Sequence, residues 1–142
     1  MEIRKVVFGS VLCISFWGIS SCVLSEKEQV CTVARQFSEK YFGMKIRDAK
    51  EYCVKELHPV IDFREENKFL EGANMIEELE PRVRILECDI NADRDMARVC
   101  VEVRDFVRVD YLAQQYVWVS CDTFELSLVR EFNSGWKIKN HI

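Results

Sequence analysis

The sequence predicts an α+β fold in which N-terminal helices pack on a curved antiparallel sheet. Three observations carry this expectation. From about residue 26 to 79 apolar side chains recur at helical spacing. After Pro81 the period drops to two and β-branched residues take over. Two polar turn clusters, "NADRD" and "NSG", then separate the alternating runs. Helices first and strands second is the order of an α+β domain, because repeated strand–helix units would interleave the two patterns.

The first helix opens at Ser25-Glu26-Lys27-Glu28, a capping box in which Ser25 accepts from a backbone N–H and Glu28 reaches back. Val30, Val33, Ala34, Phe37 and Tyr41 follow on one face, and Gly43 is its terminator. A second, short helix is expected over about 47–57, with Ile46, Ala49, Cys53 and Leu57 on one side and His58-Pro59 as its end. A third is expected from about Val60 to Leu79. Its inner face would be Ile61, Phe69, Gly72, Ile76 and Leu79, with "REENK" and "EELE" as solvated faces.

The strands follow from alternation. "RVRILECDI" pairs through the "NADRD" turn with "MARVCVEVRDFVRV", in which Ala97, Val99, Val101 and Val103 alternate with Arg98, Cys100, Glu102 and Arg104. "QQYVWVSCDTFELSLVREF" is too long for a flat strand, so a bend or bulge is expected near Asp122-Thr123. Asn133-Ser134-Gly135 turns the chain into a last strand, "WKIKNHI".

Ahead of this domain the chain reads as a leader. Arg4 and Lys5 precede an uncharged run from Val6 to Ser21, diluted by glycine and serine below what a spanning helix needs. Ile19-Ser20-Ser21-Cys22 resembles the lipobox of bacterial lipoproteins: a branched apolar residue, two small residues, then cysteine. The resemblance implies a signal peptide over 1–21 cut before Cys22, a diacylglycerol on its thiol, an acyl chain such as palmitate on its amine, and a short tether over 22–25. Several acyl chains at ~0.8 kcal/mol per buried methylene make a stable anchor. The expected location is the bacterial cell envelope. Val23 in place of an aspartate points to the outer membrane.

Cleavage would leave residues 22–142, enough for one domain and too few for two. The 142-residue chain has a formal charge of −4, and loss of Glu2, Arg4 and Lys5 takes it to −5. A mildly acidic chain without a basic tract offers no footprint for nucleic acid. Of seven cysteines, Cys13 leaves with the leader and Cys22 is the lipidation residue. Cys31, Cys53, Cys88, Cys100 and Cys121 remain as buried thiols or as partners in disulfides whose pairing the sequence does not specify. No CxxC occurs and His58 and His141 are the only histidines, so neither a metal nor another cofactor is expected.

"TVARQFSEKYFGMKIRDAKEYCVKEL", followed by strands and the closing "LVREFNSGWKIKN", resembles the nuclear transport factor 2-like superfamily, also called cystatin-like. Small bacterial lipoproteins of unknown function within it are the nearest in kind. The resemblance covers about 26–142 and implies a cone-shaped domain with a pocket between sheet and helices. Its members include isomerases, dehydratases, binding proteins and catalytically empty modules, so fold alone does not choose.

A catalyst of the isomerase kind needs a carboxylate base and an oxyanion donor facing a dry cavity. Asp62 or His58 is the candidate base. Tyr41, Tyr52, Tyr116 and Trp118 are the candidate pocket residues. Each has a plainer reading: His58 as a helix-ending residue, Asp62 as a complement to a helix dipole, the tyrosines as core-edge aromatics. Along the long strand Tyr116, Trp118 and Ser120 point one way and Val117, Val119 and Cys121 the other, so both faces are apolar and the outer one calls for a curled neighbour, a ligand or another subunit as cover. Dimerisation through the outer sheet face is what the resemblance implies, so a homodimer is expected. The function these observations favour is a lipid-anchored module that binds a small apolar ligand or a protein partner without catalysis. An isomerase- or dehydratase-like enzyme and a structural subunit of an envelope assembly are the alternatives.

Overall fold

The computed structural model describes residues 25–67 and 79–140. The expected leader, Cys22 and most of its tether, together with Phe69, Gly72 and Ile76 of the expected third helix, lie outside the described residues. Helix α1 spans Glu26–Phe42 and starts as the sequence predicts: Ser25 Oγ accepts from Glu28 N–H at 3.2 Å, and Glu28 accepts from Ser25 N–H at 3.3 Å. It ends at Gly43, whose N–H donates to Glu39 O at 3.1 Å. A Cβ on Gly43 would sit 2.5 Å from that same carbonyl, so the residue is required by close approach of backbone.

The second helix is broken, contrary to the sequence pattern. Helix α2 is only Ile46–Ala49, and 3₁₀ turns follow at Lys50–Tyr52 and Lys55–Leu57. Between them Cys53 is extended and forms an isolated parallel bridge with Ile138, while Val54 N–H donates to Ile138 O at 2.9 Å. The edge of the sheet captures backbone groups that a continuous helix would have used internally. His58-Pro59 accordingly begins a helix: α3 runs His58–Glu66 with the proline in its first turn, where a missing N–H costs nothing.

Four strands form one antiparallel sheet in chain order: β1 Arg82–Ile90, β2 Met96–Asp110, β3 Gln115–Glu131 and β4 Gly135–Ile138. The expected hairpins are both present. Asn91 closes the first turn, its side chain accepting from the N–H groups of Asp95 and Met96 at 3.0 Å each. Gly135, at φ 74°, enters β4 in the left-handed conformation that favours glycine. Past β4 the Asn140 side chain continues the ladder, accepting from Ser127 N–H at 2.7 Å and donating to Glu125 O at 2.9 Å.

The bend falls elsewhere than expected. Asp122 and Thr123 pair without interruption with Val103 and Glu102. The irregularities are on the two preceding strands: a bulge between Ile85 and Glu87 on β1, and Asp105 on β2 at φ 59°. Asp105 resets the alternation, so that buried residues pass from Ala97, Val99, Val101 and Val103 to Phe106. Aspartate tolerates this conformation better than a branched residue would, and its carboxylate accepts from Arg82 Nη2 at 2.7 Å.

The helices cover one face of the sheet. Val30, Ala34 and Phe37 of α1, Ile46 and Ala49 of α2 and Ile61 of α3 share one core with Val99, Val101, Leu126, Leu128, Trp136 and Ile138. The opposite face of β1–β3 is charged. Arg98 and Glu125 meet at 2.6 Å, and Glu102 accepts from Arg104 at 2.9 Å and from Arg84 at 3.2 Å. Exposed ion pairs contribute little to stability because water and salt screen them, so the apolar face carries it.

Candidate functional site

Aromatic residues gather where α1 ends. Phe37 and Tyr41, one helical turn apart, stack with ring centroids 5.3 Å apart, and Phe42 packs against Phe124 at 4.5 Å and edge-on to Phe106 at 5.1 Å. Phe106 reaches this cluster because Asp105 has shifted the register of inward side chains.

Beside the cluster lies a cavity of about 270 Å³, bounded by Tyr41 and Phe42 of α1, Ile46, Arg64 of α3, the β2 stretch 106–109, Tyr111 and Phe124. Measured against a water's ~30 Å³ share of liquid volume, it holds roughly nine such groups, the size of a short or medium-length apolar chain. Its walls are aromatic and aliphatic. Two arginines, Arg64 and Arg108, also border it.

Arg64 lies over the Tyr41 ring, 5.2 Å from guanidinium carbon to centroid. Burial lowers the pKa of this arginine from its ordinary value; an arginine starts so high that it stays cationic at neutral pH. Arg108 is paired, its Nη2 2.7 Å from Asp122 Oδ2. The Asp122 carboxyl is held below the ordinary aspartate value, first by the Thr123 N–H and then by Arg108.

Of the residues singled out from sequence, the structure places Tyr41 in the cavity wall and the others elsewhere. Asp62 is exposed and paired with Lys50 at 2.7 Å, and His58 is half-buried at the start of α3; neither lines the cavity. Tyr52 lies in a shallow depression between α1 and the β3–β4 turn, beside Lys137 and Trp136. Burial, then its hydrogen bond with Glu51, raises its pKa. Tyr116 pairs across from Val109 and packs at the core edge, while Trp118 is 54% exposed on the far part of β3. Among the described residues neither candidate base joins Tyr41 in the cavity wall.

Sequence reasoning missed Arg64, taken as part of a solvated "REENK" face, and Phe42, Phe106 and Phe124. The only hint was the density of aromatics at 37, 41, 42, 106 and 124. Among the described residues no group of His, Cys, Asp and Glu could hold a metal ion, and no helix is long and apolar enough to cross a membrane.

The intermembrane space region of the chloroplast protein ARC6 is similar in structure, with a TM-score of 0.52 at 14% identity over 83% of this chain and 95% of that one. At that identity the likeness shows the fold alone. No family model matches the chain, and no curated protein matches it.

Proposed function

We propose that this chain is a lipid-anchored cell-envelope protein whose cone-shaped, nuclear transport factor 2-like domain binds a small apolar ligand with an anionic head, without catalysis. The observation that carries the reading is the cavity itself: aromatic walls of short-chain dimensions with the half-buried Arg64 guanidinium beside them. In a low-dielectric wall a cation attracts an anion more strongly than it does in water. Arg64 and Arg108, both of which border the cavity, favour a carboxylate or similar head over a neutral one. That neither Asp62 nor His58 lines the cavity weighs against the isomerase alternative.

The anchor and the cavity would lie at opposite ends of the domain. Glu26, at the start of α1, pairs with Arg130 at 2.8 Å, and Tyr41 and Phe42 line the cavity at its other end. A 17-residue helix is about 25 Å long. A lipid on Cys22 would therefore leave the cavity directed away from the bilayer surface, open to a ligand from the aqueous side.

Titration of the full-length chain with decanoate, decanol and decylamine, read by displacement of a fluorescent apolar probe, tests the ligand. Decanoate should bind at least tenfold more tightly than decanol, and Arg64→Gln should erase the difference. Equal binding of acid and alcohol would remove the anionic head from the reading. Binding of none of them would remove the ligand. Labelling with radioactive palmitate tests the anchor: Cys22→Ala should lose the label, and its retention would sink that part.

A docking reading has its own support in Tyr111, Leu112, Val117 and Trp118, exposed on the far part of the β2–β3 hairpin. A protein partner or a second copy would cover them. Gel filtration with light scattering should then find a dimer that Trp118→Lys converts to monomer; a wild-type monomer would leave only a separate partner.

A further inference from the structure

The walls of the cavity differ in depth. Along β2 they pass from Phe106 and Val107, 1% and 4% exposed, to Arg108, whose side chain is 56% exposed, and to Tyr111 in the turn beyond, at 46%. The cavity therefore has a closed end at Phe106 and an open end at Arg108 and Tyr111. Arg64 belongs to the open end, because its neighbour Phe63 is exposed and its ring meets the Tyr111 ring at 6.3 Å.

Three rings shut the closed end. Phe42 from the end of α1, Phe106 from β2 and Phe124 from β3 are in mutual contact, with centroid separations of 4.5, 5.1 and 5.8 Å. Rings packed at these distances leave no passage for a methylene between them unless one is displaced. Beyond them lie Val101, the ladder partner of Phe124, then Val103 and Leu126, all fully buried. None of these three borders the cavity. The space stops where the packed core begins.

We infer that Phe106, backed by Phe42 and Phe124, sets the length of chain the cavity accepts: a straight-chain carboxylate enters tail first, its head stays at the open end beside Arg64, and its chain stops against the three rings at about ten carbons. The inference rests on the ligand reading above and adds to it an orientation and a limit. The orientation follows from desolvation and charge. A carboxylate carried to the closed end would lose its water among phenyl rings, away from the arginine, which is costly. At the open end it keeps part of its hydration and meets a guanidinium. The limit follows from volume, since about 270 Å³ at a water's ~30 Å³ share leaves room for roughly nine groups behind the head.

The experiment titrates the full-length chain with hexanoate, octanoate, decanoate, dodecanoate and hexadecanoate, each below its micelle concentration, and reads binding by isothermal titration calorimetry. Affinity should rise about fourfold with each methylene up to decanoate and gain nothing from decanoate to hexadecanoate. Phe106→Leu, which replaces a ring by a shorter branched chain, should carry the rise on to dodecanoate and leave hexanoate as it was. Arg64→Gln should weaken every acid by one common factor, because the head is held in the same place whatever the chain length. Phe124→Leu, at a half-buried position, gives the same readout should Phe106→Leu fold poorly, and the wild-type series needs neither variant. Affinity that still climbs from decanoate to hexadecanoate in the wild type, or folded variants that keep the wild-type limit, overturns the inference and leaves the ligand reading in place. Binding of none of the acids overturns that reading and the inference together.

Discussion

Among the described cysteines, Cys53 is buried and Cys121 exposed. Burial pushes the Cys53 thiol up to about 12, against a small opposing pull from Lys137, whereas Cys121 is exposed on β3. Native alkylation at pH 8 should modify Cys121 within minutes and leave Cys53 untouched until the chain is unfolded, as read by peptide mass spectrometry. Asp122 makes a prediction about pH. Its folded-state pKa is depressed by the Thr123 N–H and Arg108. Its contribution to stability is therefore complete above the ordinary aspartate value and is lost as pH falls through the lower folded value. Urea midpoints should show Asp122→Asn less stable than wild type at pH 7, with the gap closing towards pH 2. Asp122 was expected to mark a bend; its role in the structure is electrostatic, and the bend belongs to Asp105. An aspartate flanked by strand residues looks the same in either case, because backbone conformation at one position depends on what the inward side chains must reach.

At the scale of elements, local chemistry specified ends better than middles. The Ser25 capping box and the Gly43 terminator involve residues three or four apart, so their partners are visible in the sequence. Ser25→Ala should cost about 1 kcal/mol in a denaturant melt. Gly135→Ala meets no neighbouring atom within 4 Å, yet it places a Cβ at φ 74°, so roughly 1 kcal/mol of backbone strain is expected there as well. The second helix was misread for the converse reason. Ile46, Ala49, Cys53 and Leu57 do all face the core, and their spacing is helical. The break at Cys53 arises from a bond between Val54 and Ile138, 84 residues away in sequence. Nothing near Cys53 announces that competitor.

Across the whole molecule the two faces of the sheet divide the work. Leu126 is fully buried in the shared core, and Leu126→Ala should cost about 3 kcal/mol through lost burial and the void left behind. Arg98→Ala, on the other face, should cost far less, since its partner Glu125 remains solvated. Chemical denaturation of the two variants side by side checks both, and comparable losses would mean that the charged lattice is structural. The sequence by itself determined the α+β order, the extents of the first three strands and the start of the fourth, two of the three hairpin turns and the face of β2 that enters the core, because alternation and capping are short-range patterns enforced by water. Tertiary structure alone decided that the 47–57 segment breaks, that Arg64 lies over Tyr41, and that Phe42, Phe106 and Phe124 meet beside a cavity. Each of these brings together residues from separate elements, and the packing that joins them is set by the shape of the assembled core rather than by any residue's neighbours in the chain.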